Sequence, residues 1–319
     1  MPTPADPNMS RLAEILVPLF GLMLLGFLAV RGRILDGPGV RGLVLFVFNF
    51  SIPSLLLTSM AGLDFPSDID WSFLVAFYAA SLAVYAVGVT VGRGVFGRPL
   101  PDQAIFGMSA AFSNLVMVGI PVVLTALGPE AALPMMIIVG FHSGTFMPLT
   151  VLLIQAGRGG EGGAGERAAR AVLDAARNPI IGGIAFGLLV NLSGAVIPTP
   201  VAKVLELLAA AAVPCALFAM GSSLAGYPLM GDVRPAVLLS ALKLVAHPLL
   251  VWLIGGPVLG VNGPWLSVAV LMAAMPSAVN VYLFGARYDA APGVAARTVL
   301  FTTVGSVLTL SVVITLLGG

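Results

Sequence analysis

The sequence predicts an all-α integral membrane protein with ten transmembrane helices in two inverted five-helix repeats, each containing a broken crossover helix. Three observations support this fold class: the composition, the succession of apolar stretches, and a pattern shared by the two halves. Of the 319 residues, 59% are hydrophobic and 9% are charged, whereas a soluble domain has about 25% charged residues. This composition excludes a soluble enzyme and a disordered chain. The formal net charge of +1 gives no basic excess, so we expect no nucleic-acid partner.

Apolar stretches follow one another along almost the whole chain. A bilayer crossing needs about 20 apolar residues, and at about 30 residues per crossing and connection the chain has room for about ten. The first stretch is too long for the core of a signal peptide, so we expect it to be retained. We predict spans one to ten at 11–30, 40–61, 71–92, 102–127, 131–156, 178–195, 199–225, 235–256, 264–286 and 294–317.

The one long polar stretch, 157–177, lies between spans five and six. It is Gly-rich at its start and charged throughout, which is typical of a flexible loop that leads into a short surface helix. We therefore divide the chain into a first repeat at 1–156, this loop, and a second repeat at 178–319.

The basic residues indicate the orientation of the spans. The even-numbered connections and the two ends of the chain contain only Arg11 and Lys203. Because loops rich in Arg and Lys stay in the cytoplasm, we expect cytoplasmic odd-numbered connections and both termini outside. The odd-numbered connections contain Arg31, Arg33, Arg41, Arg93, Arg98, Arg158, Arg167, Arg170, Arg177, Arg234, Arg287 and Arg297.

The two halves match at a constant offset of 161 residues. Since each half has an odd number of spans, the second half must insert upside down relative to the first, as in many secondary transporters. The alternative is coincidence, because the chain contains 38 Gly and 24 Pro. The matching pairs are Pro18 with Pro179, Pro53 with Pro214, and Gly144 with Gly305.

Spans four and nine both carry helix-breaking and polar residues at mid-span. Proline removes one backbone N–H and clashes with the carbonyl four residues earlier, and freed groups in hydrocarbon must be buried in protein or line a cavity. Two unwound segments that cross would point half-helix N-termini, which favour negative charge, at one site. The alternative is ordinary kinks, with Asn acting as a contact between helices. The predicted substrate-binding residues are Ser113, Asn114, Gly119, Pro121, Pro276 and Asn280.

Three other ionisable residues lie within spans. Lys243 is roughly 12 Å into span eight at 1.5 Å per residue, and we add it to the substrate site as a positive charge; the alternative is that it extends to the cytoplasmic face. His142 and His247 are candidates for proton or ion coupling, although such a histidine can also simply bond to a carbonyl. The coupling ion, H⁺ or Na⁺, stays open. We expect no cofactor, and the single cysteine, Cys215, excludes a cysteine-based metal cluster.

The segments FGMSAAFSNLVMVGIPVVL and MPSAVNVYLFGARY resemble the two crossover motifs of the auxin efflux carrier family. The opening GLMLLGFLAVRGRILDGPGVRGLVLFVFNFSIPSLLL and the segment KLVAHPLLVW are also similar to that family, which includes bacterial malonate-type permeases and the plant PIN carriers. The resemblance covers essentially the whole chain. It is specific as to family and unspecific as to substrate.

The resemblance implies a fold shared with bile-acid symporters and sodium/proton antiporters. Spans one, two, six and seven would form a scaffold, often a homodimer, and the other six spans a moving transport unit. It also implies that Asn114 and Asn280 help bind an organic anion. The long central loop of many plant members is absent, which favours a bacterial-type permease in the inner membrane.

We therefore expect a secondary active transporter that moves a small organic acid anion, a carboxylate or dicarboxylate such as an auxin- or malonate-like acid, by alternating access. The substrate would bind where broken spans four and nine cross. The alternative is a cation antiporter or sodium-coupled symporter of the same fold, against which the lack of acidic residues in the crossover region counts. An intramembrane enzyme is less favoured, since no clustered catalytic residues are found. No phosphate-binding loop of the G-x-x-x-x-G-K-[ST] type occurs, so we expect no direct use of ATP.

The topology can be tested with reporter fusions at Gly319 and near Gly163. We expect an external signal from the first and a cytoplasmic signal from the second, because of the distribution of basic residues. A cytoplasmic signal from Gly319 would contradict the ten-span count.

Overall fold

A computed structural model describes residues 7–62, 69–158, 179–226 and 231–317, with side chains from Val17 onwards. Over these residues the regular structure is helical, and no strand longer than an isolated bridge is found. Most of the predicted 157–177 loop, namely 159–177, lies outside the described residues.

The described helices are numbered here in chain order. They are α1 Pro7–Arg31, α2 Gly37–Ala61, α3 Ser72–Gly94, α4 Leu100–Ala111, α5 Leu115–Leu127, α6 Pro129–Gly157, α7 Pro179–Ser193, α8 Thr199–Leu224, α9 Arg234–Val258, α10 Gly263–Ala273, α11 Val279–Arg287 and α12 Pro292–Leu317.

The helices make this a multi-pass membrane protein. Six of them (α2, α3, α6, α8, α9 and α12) are long and apolar enough to cross a membrane. Shorter apolar helices accompany them in α1, α5, α7 and α10. Helix is found in each of the ten predicted ranges, and two of those ranges, spans four and nine, are each divided into two helices, α4 with α5 and α10 with α11.

Prolines shape the helices without ending them. Wide π turns at Val47–Ser51, Leu115–Gly119 and Leu242–Ala246 each end two residues before a proline. A π turn shifts the backbone hydrogen bonds by one residue, which accommodates the N–H that proline lacks. The helix therefore continues through Pro121, and the break in predicted span four lies earlier, at 112–114.

Helix contacts recur between the two halves. Helix α1 packs on α8 and α2 packs on α7; α3 packs on α4 and α9 on α10; α4 contacts α12 and α6 contacts α10. If α1–α6 are placed on α7–α12 in order, each contact of a pair becomes the other. Helices α3 and α9 contact each other, as two equivalent elements at the centre of such an arrangement would.

Glycines bring the backbones of paired helices into direct contact. A Cβ on Gly26 of α1 would clash with the Phe218 carbonyl of α8. A Cβ on Gly187 of α7 would lie 2.5 Å from the Leu57 carbonyl oxygen of α2. Gly26 and Gly187 are 161 residues apart, as are Leu57 and Phe218, so one close contact occurs twice at the offset of the repeat. Small residues at such interfaces are typical of membrane helices.

Two neighbouring glycines of α7 provide a test of this packing. A Cβ on Gly183 would lie 2.6 Å from the Pro53 carbonyl oxygen, whereas a Cβ on Gly182 would meet no heavy atom within 4 Å. We expect Gly183→Ala to be less stable than Gly182→Ala by about 1–3 kcal/mol, because overpacking forces backbone shifts. Thermal unfolding of the two purified variants in detergent measures the difference. Equal stabilities would show that α2 and α7 are not packed this closely.

Candidate functional site

The two broken spans meet through their backbones. The N–H of Asn114 donates to the carbonyl of Pro276 at 2.7 Å, and the N–H of Ala278 donates to the carbonyl of Phe112 at 3.1 Å. These bonds make an isolated antiparallel bridge centred on Ser113 and Ser277. Unpaired backbone groups are costly away from water. Each unwound segment therefore satisfies part of the other's backbone.

The backbone N–H groups at the centre of the bridge are bonded to the helices that follow each broken span. Ser113 N–H donates to His142 Nε2 of α6 at 3.0 Å. Ser277 N–H donates to Thr302 Oγ1 of α12 at 3.0 Å. The two halves thus meet the same need at the same place with different side chains.

The hydroxyls of the two central serines differ. Ser277 Oγ donates to the carbonyl of Ser109 at 2.6 Å, and so satisfies a backbone acceptor near the end of α4. Ser113 is 2% exposed, and its Oγ has no hydrogen-bond partner among the described residues. Buried hydroxyls normally have a partner, so Ser113 carries an unused donor.

His142 presents a second unused donor. Its Nε2 accepts from Ser113 N–H, so the neutral imidazole carries its proton on Nδ1. That atom is buried and has no partner among the described residues. The ring stacks on Phe112, with centroids 4.6 Å apart, and touches Phe77 and Phe146. These aromatic rings fix the imidazole plane.

The two predicted asparagines lie at the starts of the second half-helices. Asn114 precedes α5, where its Oδ1 accepts the Met117 N–H at 3.3 Å and its Nδ2 lies 3.2 Å from Met220 Sδ. Asn280 lies in the first turn of α11 and is half-buried. No hydrogen bond of its side chain is found in the described part of the chain. Asn280 therefore offers a free amide, and Asn114 a weakly engaged one.

These groups surround one cavity of about 160 Å³. Ser113, Asn114, His142 and Asn280 all line it. None of the described lining residues is Lys, Arg, Asp or Glu. The other lining residues are Val44, Phe48, Phe112, Leu115, Val116, Met117, Val139, Ser143, Met147, Ile180, Ser223, Ala278, Val279 and Leu283.

A second cavity is different in character. This groove of about 580 Å³ lies between α9, α10 and α12. Its lining is apolar apart from Thr309, and Leu249, Trp252 and Val312 are about half exposed. It offers almost no polar partner to a small anion, and its apolar surface suits lipid chains.

Three predicted site residues lie outside the lining of the 160 Å³ cavity. Gly119 is on α5 against α10, where a Cβ would be 3.2 Å from Met272 Sδ. Pro121 follows it within α5. Pro276 is in the unwound segment between α10 and α11, and its carbonyl accepts from Asn114.

Lys243 and His247 form a separate buried chain of hydrogen bonds. Both side chains are 0% exposed. Lys243 Nζ donates to the carbonyl of Ala273, the last residue of α10, at 2.6 Å and lies 3.0 Å from His247 Nδ1. His247 Nε2 lies 2.7 Å from Ser81 Oγ, whose own hydrogen goes to the Phe77 carbonyl. The imidazole therefore donates from Nε2 and accepts from Lys243 at Nδ1. Lys243 neither reaches the surface nor lines the cavity.

Comparison with known proteins assigns the chain to a family. Residues 12–314 match the family model described as "Membrane transport protein". The chain belongs to the auxin efflux carrier family. The family resemblance expected from the crossover motifs is confirmed, and the chain is a membrane transporter.

Relatives of this carrier cover nearly its full length. It is 29% identical over 318 residues to a Rhizobium meliloti protein named "Putative malonate transporter", with 95% of each chain covered. It is 28% identical over 304 residues to an uncharacterized transporter of Methanothermobacter thermautotrophicus, covering 93% of this chain and 95% of the relative. An uncharacterized transporter of Escherichia coli is 22% identical over 305 residues, covering 92% and 94%.

The sequence analysis of this carrier missed the polar residues that support the crossing. Thr302 and Ser109 were not identified, because each bonds to a distant helix and neither belongs to a local motif. One signal was present in the repeat. Thr302 lies 160 residues after His142, close to the 161 offset, and a comparison of polar positions in spans five and ten would have found it.

The two central serines allow a test of this geometry. We expect Ser277→Ala to lower the stability of the carrier by about 1–3 kcal/mol, because it leaves the buried Ser109 carbonyl unpaired. Ser113→Ala removes a hydroxyl without a protein partner and is expected to leave stability unchanged. Thermal unfolding in detergent without substrate compares them. A larger loss for Ser113→Ala than for Ser277→Ala would contradict the hydrogen bonds described.

Proposed function

We propose that this carrier is a secondary active transporter of a small organic acid anion and works by alternating access. The substrate would bind in the 160 Å³ cavity where α4 and α5 cross α10 and α11. One observation carries the proposal: buried or half-buried polar groups without protein partners, Ser113 Oγ, His142 Nδ1 and the Asn280 amide, line one small cavity.

The character of these groups favours an anion. The hydroxyl, the imidazole Nδ1–H and the amide can all donate hydrogen bonds to a carboxylate. Helices α5 and α11 begin beside them, and helix N-termini carry partial positive charge and unpaired N–H groups. With no full positive charge among the described lining residues, the site would hold a carboxylate by neutral donors, a mode that permits release as well as binding.

The size of the cavity favours a small acid. Water occupies about 30 Å³ per molecule, so 160 Å³ corresponds to roughly five waters. Pockets for drug-sized ligands are larger, at about 300–1,000 Å³. A short-chain carboxylate or dicarboxylate fits this space better than an aromatic acid. The relative named as a malonate transporter agrees in substrate class.

The proposed architecture is ten transmembrane helices in two inverted repeats, 1–156 and 178–319, in the fold shared with bile-acid symporters and sodium/proton antiporters. The recurring helix contacts, the repeated glycine contact and the antiparallel bridge support it. Helices α1, α2, α7 and α8 would form the scaffold, with a homodimer through it, and the remaining helices the transport unit. We place the carrier in the bacterial inner membrane with both termini outside.

A cation antiporter or sodium-coupled symporter of the same fold is the second candidate. Cation sites use carboxylate and carbonyl oxygens, and among described residues no carboxylate lines the cavity. The coupling ion of the proposed transporter, H⁺ or Na⁺, is a separate question. His142 is the ionisable group that touches the cavity, whereas His247 lies behind α10.

Binding to asparagine variants tests the site. Asn280→Ala is expected to weaken carboxylate binding about ten- to a hundredfold, since a hydrogen bond to a charged group is worth about 1.5–3 kcal/mol. Asn114→Ala should weaken it similarly and also lower stability by about 1 kcal/mol through loss of the bond to Met117. Calorimetry with malonate and a panel of short carboxylates measures the affinities.

Asn49→Ala is the matched control. Its amide donates to the Leu45 carbonyl of its own helix, outside the cavity, so affinity should stay unchanged. If Asn114→Ala and Asn280→Ala both bind a carboxylate as tightly as the wild type, the substrate binds elsewhere. The transporter family would still hold.

A further inference from the structure

We propose that Lys243 is a positioning residue that leaves the Ser113 hydroxyl free for the substrate. It would do so by taking the backbone carbonyl to which Ser113 would otherwise bond. This inference rests on the proposed carboxylate site. It gives Lys243 a role distinct from direct attraction of the anion.

The argument begins with the symmetry of the crossing. The bridge pairs Ser113 with Ser277, which sets a local offset of 164 residues between equivalent positions. At the same offset, Ser109 is equivalent to Ala273. In one half, Ser277 Oγ donates to the Ser109 carbonyl. The symmetric bond in the other half would run from Ser113 Oγ to the Ala273 carbonyl.

That second bond is replaced. The Ala273 carbonyl accepts from Lys243 Nζ at 2.6 Å. Ser113 Oγ, by contrast, is buried without a partner among the described residues. One acceptor is occupied by the lysine, and the serine that symmetry assigns to it is free. The two observations are independent and fit one exchange of partners.

The lysine is held in place for this role. Its Nζ also donates to His247 Nδ1, and His247 bonds to Ser81 on α3. The first half has Leu82 at the position 161 residues before Lys243, so no such donor competes with Ser277 there. The difference between the two serine hydroxyls follows from this one change between the halves.

The free hydroxyl lies where the substrate would bind. Ser113 and His142 both line the cavity and both carry an unused donor. Their donors belong to two groups already joined through Ser113 N–H and His142 Nε2. Lys243 is absent from the lining. Its effect on the anion would therefore pass through Ser113.

A double-mutant cycle tests the exchange without substrate. Ser113→Ala should leave the melting temperature unchanged in the wild-type background. In a Lys243→Met background, Ser113 is free to bond to the Ala273 carbonyl, so Ser113→Ala should lower the melting temperature by at least about 2 °C. An equal effect of Ser113→Ala in both backgrounds would overturn the exchange, whether or not any carboxylate binds.

The same variants test the consequence for binding, measured by calorimetry with malonate or the tightest-binding short carboxylate. Ser113→Ala and Lys243→Met should each weaken binding, Ser113→Ala by about tenfold or more. The double variant should bind within twofold of Ser113→Ala alone. Losses that multiply would show that Lys243 acts on the anion by its own charge and would overturn the inference.

Lys243→Gln is a companion close to Met in length that keeps an N–H donor but no charge. Wild-type affinity in this variant supports the donor role. If its affinity is reduced, or if the Met variant does not fold, the cycle is completed with Gln and read in the same way. A wild-type protein that binds none of the carboxylates contradicts the proposed function, and the melting-temperature cycle then decides the exchange separately.

Discussion

The structure depends on the requirement that backbone N–H and C=O groups be paired where water is scarce. Unwinding a helix inside a membrane leaves several of these groups without their usual partners. Here two unwound segments meet in antiparallel orientation and bond to each other, and neighbouring helices supply His142, Thr302 and Lys243 for groups that remain. The cavity exists because the chain can leave the helical path at this point and still satisfy its backbone.

Much of the fold follows from local properties of the sequence. The ten predicted ranges all contain helix, because long apolar stretches between charged connections leave few alternatives in a bilayer. The broken character of spans four and nine was also predictable from their proline and polar residues. The position of the first break was not. The π turn at Leu115–Gly119 absorbs the effect of Pro121, and the unwound residues precede it.

The candidate site was predicted less completely, for a physical reason. Ser113, Asn114, His142 and Asn280 could be identified because polar residues at mid-span are costly and few. Which of them bond to protein and which remain free depends on contacts between helices far apart in sequence. Depth along span eight located Lys243 within the membrane, but nothing local indicated that its partner would be the last carbonyl of α10.

The glycine contacts between α1 and α8 and between α2 and α7 have a mechanical consequence. Where backbone lies directly on backbone, neither helix can slide or rotate without a collision between main-chain atoms, which cannot change rotamer as a side chain can. These two pairs are locked against shear. Relative displacement within the molecule is therefore confined to interfaces where side chains meet, and the locked pairs provide the fixed frame against which such a displacement is measured.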